Sequence, residues 1–246
     1  MNILGIDIGG SGIKGAPVDI ETGRLVSQRH RIPTPKPATP PVVVEAVGRL
    51  VEHFGWKGPI GCTFPAIVKA GVVHSAANVD KSWIGTDGQG LLEERTGCPV
   101  LLINDADAAG LAEMSFGAGE GRKGVVIMLT LGTGLGSAVF IDGRLVPNTE
   151  FGHIEIRGKN AEERAASRIR KEKDLDWKTW AGHVDEFMGR MEALLSPDLF
   201  IIGGGVSKKH HQFLHLIDTR AEVVPAKALN EAGIIGAALA ARSVAS

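Results

Sequence analysis

One local pattern occurs twice in this chain, and the repetition constrains the fold more than any other feature. An apolar run over 3–8 enters Asp7-Ile8-Gly9-Gly10-Ser11-Gly12-Ile13-Lys14-Gly15 and continues as a second strand. Far downstream, an apolar run over 125–131 enters Leu129-Thr130-Leu131-Gly132-Thr133-Gly134-Leu135-Gly136-Ser137, and strands over 137–141 and 144–146 follow. Strand, glycine turn, strand, turn, strand is thus written at the head of each half, which predicts two halves of similar architecture. Between and after them, strands at 59–63, 100–103 and 199–202 alternate with helices at 42–54, 91–96, 106–114, 185–195 and 230–245. That alternation predicts α/β layers.

The remaining segments carry weaker patterns. Residues 24–32 read as a third strand, and a hairpin is expected around 66–74. The proline-rich stretch 33–41 reads as a stiff extended connector. Residues 160–174 are strongly charged and read as helical.

Both glycine turns suit phosphate. Glycine lets backbone N–H groups approach phosphate oxygens, and Ser11, Lys14 and Thr133 add donors. Neither turn opens a helix, so neither is a Walker A loop nor a dinucleotide fingerprint. Asp7, at the end of its strand, suits magnesium held directly or through water. Gly203-Gly204-Gly205 is a third glycine run, placed between a buried strand and a helix. Asn104-Asp105 closes an apolar strand, where ligands of α/β sheets gather and where a carboxylate can take a hydroxyl proton. The competing reading of Asp105 is a helix N-cap. Asp107 reads as a first-turn helix acid. Glu150, His153 and Glu155, clustered around Gly152, and Asn78 offer forks of hydrogen bonds for adjacent hydroxyls. Trp83 reads as core in preference to a wall of the cleft.

The bulk numbers exclude several classes. With 43% hydrophobic residues the chain builds real cores. A net charge of −1 gives no chain-wide field for nucleic acid. Cys62 and Cys98 form no CxxC pair, so neither a disulfide framework nor a thiolate zinc site is expected. No apolar run approaches the roughly 18 residues that span a bilayer. A soluble, cytoplasmic protein without membrane partners is expected.

In this order, the two hairpins, the Asn78 loop, Asn104-Asp105, the Glu150–His153 motif and the triple glycine resemble the ROK family of sugar kinases and repressors. The resemblance implies an actin-like ATPase (ribonuclease H-like) fold with two similar α/β domains flanking a cleft. Domains are expected at 1–104 and 105–229, with the helix at about 230–246 packing back on the first. It implies that Asp105 deprotonates a sugar 6-hydroxyl and that Asn78, Asn104, Glu150 and His153 hold the other hydroxyls. Asp7 with Mg2+, Gly9, Gly10, Ser11, Gly12, Lys14, Gly132, Thr133 and Gly134 would hold donor phosphates, with Gly203, Gly204 and Gly205 at the nucleotide's place. Family members usually dimerise, so a homodimer is expected. Many of them carry a histidine–cysteine zinc site after the motif at 150–153. No cysteine occurs over 154–173, so zinc is not expected, and the role of a later sugar-binding glutamate falls to Glu155 or stays vacant. Repressors of the family carry an N-terminal DNA-reading module, for which a first strand beginning at residue 3 leaves no room.

Three stretches, 9–15, 63–66 and 77–87, resemble the polyphosphate-using glucokinase subgroup. The expected reaction is phosphoryl transfer to glucose from polyphosphate, with ATP as a possible donor. The alternatives are an ATP-dependent hexokinase or glucomannokinase, and a non-catalytic actin-like protein. A flexible polyanion needs a basic track. Arg122-Lys123, the cations from Arg157 to Lys173, and Lys208-Lys209-His210-His211 are the candidates. The Arg157–Lys173 run alone reads better as a solvated amphipathic helix, and Lys208-Lys209 is the sharpest because it follows the triple glycine.

Overall fold

The computed structural model describes residues 1–76, 79–228 and 231–245. By its contacts the chain forms two compact units, Met1–Ala112 with Glu231–Ser246, and Glu113–Asn230.

The first unit opens with β1 (Asn2–Gly9) and β2 (Gly12–Asp19), followed by β3 (Arg24–Leu25) and β4 (His30–Ile32). The single strand expected over 24–32 is therefore broken. Both pieces pair with β2, β3 at Val18–Asp19 and β4 at Ile13–Gly15. Helix α1 (Pro40–His53) starts on a proline, whose missing N–H and fixed φ suit the first helical turn. Then come β5 (Ile60–Phe64), a small hairpin of β6 (Val68–Lys69) and β7 (Val72–Val73), α2 (Gly88–Thr96), β8 (Val100–Asn104) and α3 (Asp105–Phe116). Helix α2 ends on Gly97 at φ +65°, the left-handed conformation that glycine adopts without strain. The sheet runs β3-β2-β1-β5-β8, antiparallel on one side of β1 and parallel on the other.

In the second unit β9 (Val125–Leu131), β10 (Leu135–Ile141) and β11 (Arg144–Val146) precede a hairpin of β12 (Glu155–Ile156) and β13 (Lys159–Asn160). Three helices follow: α4 (Glu162–Ala165), α5 (Ser167–Glu172) and α6 (Trp177–Leu195). The charged segment is thus two short helices with a break at Ala166. Helix α6 begins well before residue 185 because Asp176 caps it, accepting from Thr179 N at 2.7 Å. The unit closes with β14 (Leu199–Gly203) and a strand not foreseen, β15 (Glu222–Pro225). Its sheet runs β11-β10-β9-β14-β15, again antiparallel then parallel. The two sheets share one strand order, which is the structural form of the sequence echo.

The last helix, α7 (Ala232–Ala240), packs on β1, β5 and β8 of the first unit. Gly5 and Gly61 make the seat: a Cβ on either would collide with the carbonyl oxygens of Ile234 and Ala237. Among the described residues no helix is long and apolar enough to cross a membrane.

Candidate functional site

In the first unit Asp7 sits at the end of β1, opposite Lys14 in β2 and Thr63 in β5. Lys14 Nζ lies 3.3 Å from Asp7 Oδ2, and Thr63 Oγ1 donates to Oδ1 at 3.0 Å while accepting from Ile8 N at 3.2 Å. Thr63, fully buried, fixes the carboxylate at the lip of the glycine turn. Among the described residues no group of three or more His, Cys, Asp or Glu could hold a metal ion. A single carboxylate that already faces an ammonium fits magnesium bound through water and the donor's own oxygens, and does not fit a dedicated protein cage.

The turn itself, Gly9 to Gly12, is roofed by a residue that sequence reasoning missed. The β2–β4 register sets Arg31 against Lys14, and Arg31 Nη2 donates to Ser11 O at 2.6 Å. The proline-rich segment is more than a connector. Thr34 Oγ1 donates to Gly9 O, and Thr34, Lys36 and Pro37 help line a cavity of about 250 Å3 beside Gly9 and Gly10. Trp83 is core, as expected. Its ring is 1% exposed, packs 4.5 Å from Phe64, and donates from Nε1 to Ala38 O at 2.9 Å. Asn78 lies outside the described residues.

At the end of β8 the structure separates two neighbouring roles. Asn104 is the helix cap: its Oδ1 accepts from Ala106 N at 2.8 Å and Asp107 N at 3.1 Å. Its Nδ2 donates to Ala66 O at 3.1 Å. Asp105 is the first residue of α3 and is exposed, while Asp107 is buried. The capping alternative thus falls mainly to Asn104, although Asp105 Oδ1 also accepts from Ala106 N at 2.8 Å. Most of Asn104's amide is thus spent inside the protein.

In the second unit the loop carrying Glu150 and His153 is pinned to β10. Ser137 Oγ donates to Thr149 O at 2.7 Å and accepts from Phe151 N at 3.1 Å. Gly152 is required there, since a Cβ would strike Leu135 O. His153 Nε2 stands 3.9 Å from Glu150 Oε2. Burial pushes the Glu150 carboxyl above its ordinary value, His153 draws it partly back, and Glu162 raises it again. Glu162 at the head of α4 is therefore the neighbouring carboxylate, and it also reaches toward Gly134. Glu155, on which the sequence reading places a later sugar-binding glutamate, lies exposed in β12 opposite Asn160, and Glu162 was not singled out from the sequence. The two adjacent glutamates opening a helix were the available signal.

The second glycine turn and the triple glycine converge. Gly132, Thr133, Gly205 and Val206 line one pocket of about 520 Å3. Gly204 makes the approach possible: its φ is +80°, and a Cβ would meet Leu131 O. Arg168 Nε donates to Thr133 O at 3.0 Å, so this turn too carries a guanidinium. Arg168, Arg170, Lys171 and Lys209 line the pocket, with Glu172 among them. Lys209 and not Lys208 faces it, a refinement of the sharpest basic candidate. Other cations of the track are engaged elsewhere: Arg157 and Arg164 with Glu186, and Arg122 with Glu222.

These features define a class. The ROK family model matches residues 3–168, and the chain belongs to that family. It has the family's actin-like ATPase fold. Among its relatives, polyphosphate glucokinase of Mycobacterium tuberculosis (strain CDC 1551 / Oshkosh) is 51% identical over 96% of this chain and 90% of its own. The Mycobacterium leprae (strain TN) polyphosphate glucokinase is 48% identical over 96% of this chain and 74% of its own. Of solved structures, inorganic polyphosphate/ATP-glucomannokinase from Arthrobacter sp. strain KM superposes with a TM-score of 0.94 at 50% identity, covering 99% of both chains.

Proposed function

We propose that this protein is a glucokinase that transfers the terminal phosphoryl group of inorganic polyphosphate, and of ATP as a second donor, to the 6-hydroxyl of glucose. The observation that carries the donor side is the cation-walled pocket shared by the second glycine turn and the triple glycine. The similarity to polyphosphate glucokinases over nearly the whole chain supports the same reading.

In this reading Asp105 accepts the proton of the attacking hydroxyl. Its position at a strand end, beside a capped and rigid helix start, favours orientation, which matters most where the transition state is loose. Glu150 and His153 take adjacent sugar hydroxyls, with Glu162 in the place first given to Glu155. Asn104 caps the helix that begins at Asp105 and also meets the sugar. The N–H groups of Gly9 to Gly12 and Gly132 to Gly134 take phosphate oxygens. Asp7, aimed by Thr63, would hold hydrated magnesium, which supplies charge neutralisation on the donor.

The test is a donor panel with glucose and magnesium, comparing the wild type with Asp105→Asn. The variant is expected to lose about 10²- to 10⁴-fold in kcat, the range of a positioned general base, while calorimetry shows glucose still bound. Near-normal turnover in the variant would remove Asp105 from the mechanism.

A further inference from the structure

The pocket of the second unit contains a ring that phosphate binding alone does not need. Trp177 lines it, and Arg170 lies across that ring with Cζ 4.0 Å from the centroid. The pair is held rather than loosely met. Arg170 Nη1 donates to Leu175 O at 3.1 Å. The ring is braced by Trp180 at 5.8 Å and by Phe213, nearly parallel, at 5.9 Å. Arg168, Lys171 and Lys209 add positive charge around it, while Glu172, the carboxylate of the wall, is tied to Arg168 at 3.1 Å.

The two donor chemistries ask opposite things of such a pocket. A nucleotide needs an open apolar or aromatic face for its base. A bare phosphate chain needs cations and has nothing to stack. A guanidinium lying flat on an indole is stabilised there by the ring's quadrupole, keeps its charge, and still presents N–H groups at its edge. With one of its five donors given to Leu175, it retains the fork that matches phosphate oxygens.

We propose that Arg170, stacked on Trp177, is a donor-specificity residue: it occupies the aromatic face a purine would use and offers its outer N–H groups to a distal phosphate of a long inorganic chain. The assignment rests on the donor reading above. A residue of this kind contacts phosphates remote from the one transferred, so its effect grows with chain length.

The experiment measures kcat/KM for ATP, tripolyphosphate and long-chain polyphosphate in the wild type, Arg170→Gln and Arg170→Lys, with thermal midpoints and glucose affinity recorded for each. Losing one charge-assisted contact is expected to lower kcat/KM for the long chain about tenfold more than for ATP, through KM. Tripolyphosphate falls between. Arg170→Lys, which keeps charge without the planar fork, restores only part of the loss. If long-chain polyphosphate and ATP fall by the same factor, or neither falls, Arg170 does not select the donor, although the donor reading stands. If the wild type makes no sugar phosphate from polyphosphate, the donor reading fails and takes this assignment with it.

Discussion

Because Asn104 Oδ1 receives the N–H groups of Ala106 and Asp107, the start of α3 does not depend on the neighbouring carboxylate alone for its cap. Stability and chemistry are therefore divided between adjacent residues. Asn104→Ala is expected to cost about 1–2 kcal/mol from cap loss, with more from the stranded Ala66 carbonyl, seen as a lower denaturation midpoint. Asp105→Asn should leave that midpoint nearly in place. Glu150 offers a pH test. Its carboxyl is raised from an ordinary 4.5, mainly by burial, so the folded state holds the proton to higher pH than the unfolded chain does. Stability from this group is present below 4.5 and is lost as pH rises through the raised value. Thermal midpoints against pH should show that decline in the wild type and a flatter profile in Glu150→Gln. The ionised form is the one that accepts sugar hydroxyls, so kcat/KM for glucose should rise across the same window.

At the scale of elements, two glycines in strand interiors are explained by the helix above them. Gly61→Ala would push a methyl into the Ala237 carbonyl and should destabilise by about 1–3 kcal/mol or more, read by denaturant titration. The turn after the triple glycine separates its two lysines. Lys209→Glu should weaken long-chain polyphosphate more than Lys208→Glu does, and flatten the salt dependence of KM. The long core strands and both glycine turns were legible from the sequence because apolar runs and glycine clusters are local signals, whereas the short β12–β13 hairpin was not. The break at Ala166, the early start of α6 and the strand β15 were not. Each depends on a cap or a pairing partner distant from the residues it decides. For the same reason Glu162 and Arg31 escaped notice: α4 and the β4 register bring them to their turns, and nothing beside them in the chain announces it.

Over the whole molecule, one strand order appears twice, yet the two units differ in how the chain supplies them. The second is a continuous stretch, while the first borrows its last helix from the C-terminus. Deleting 231–246 should therefore speed amide hydrogen exchange in β1, β5 and β8 and leave β9, β10 and β14 protected. Equal acceleration in both sheets would contradict the division. The borrowed helix also orders events at the ribosome. The strands bearing Gly5 and Gly61 emerge long before the segment that will cover them has been translated. Until then, one apolar face of the nascent first half stands open to water. That interval is when a chaperone, or a neighbouring copy on the same message, would meet this chain.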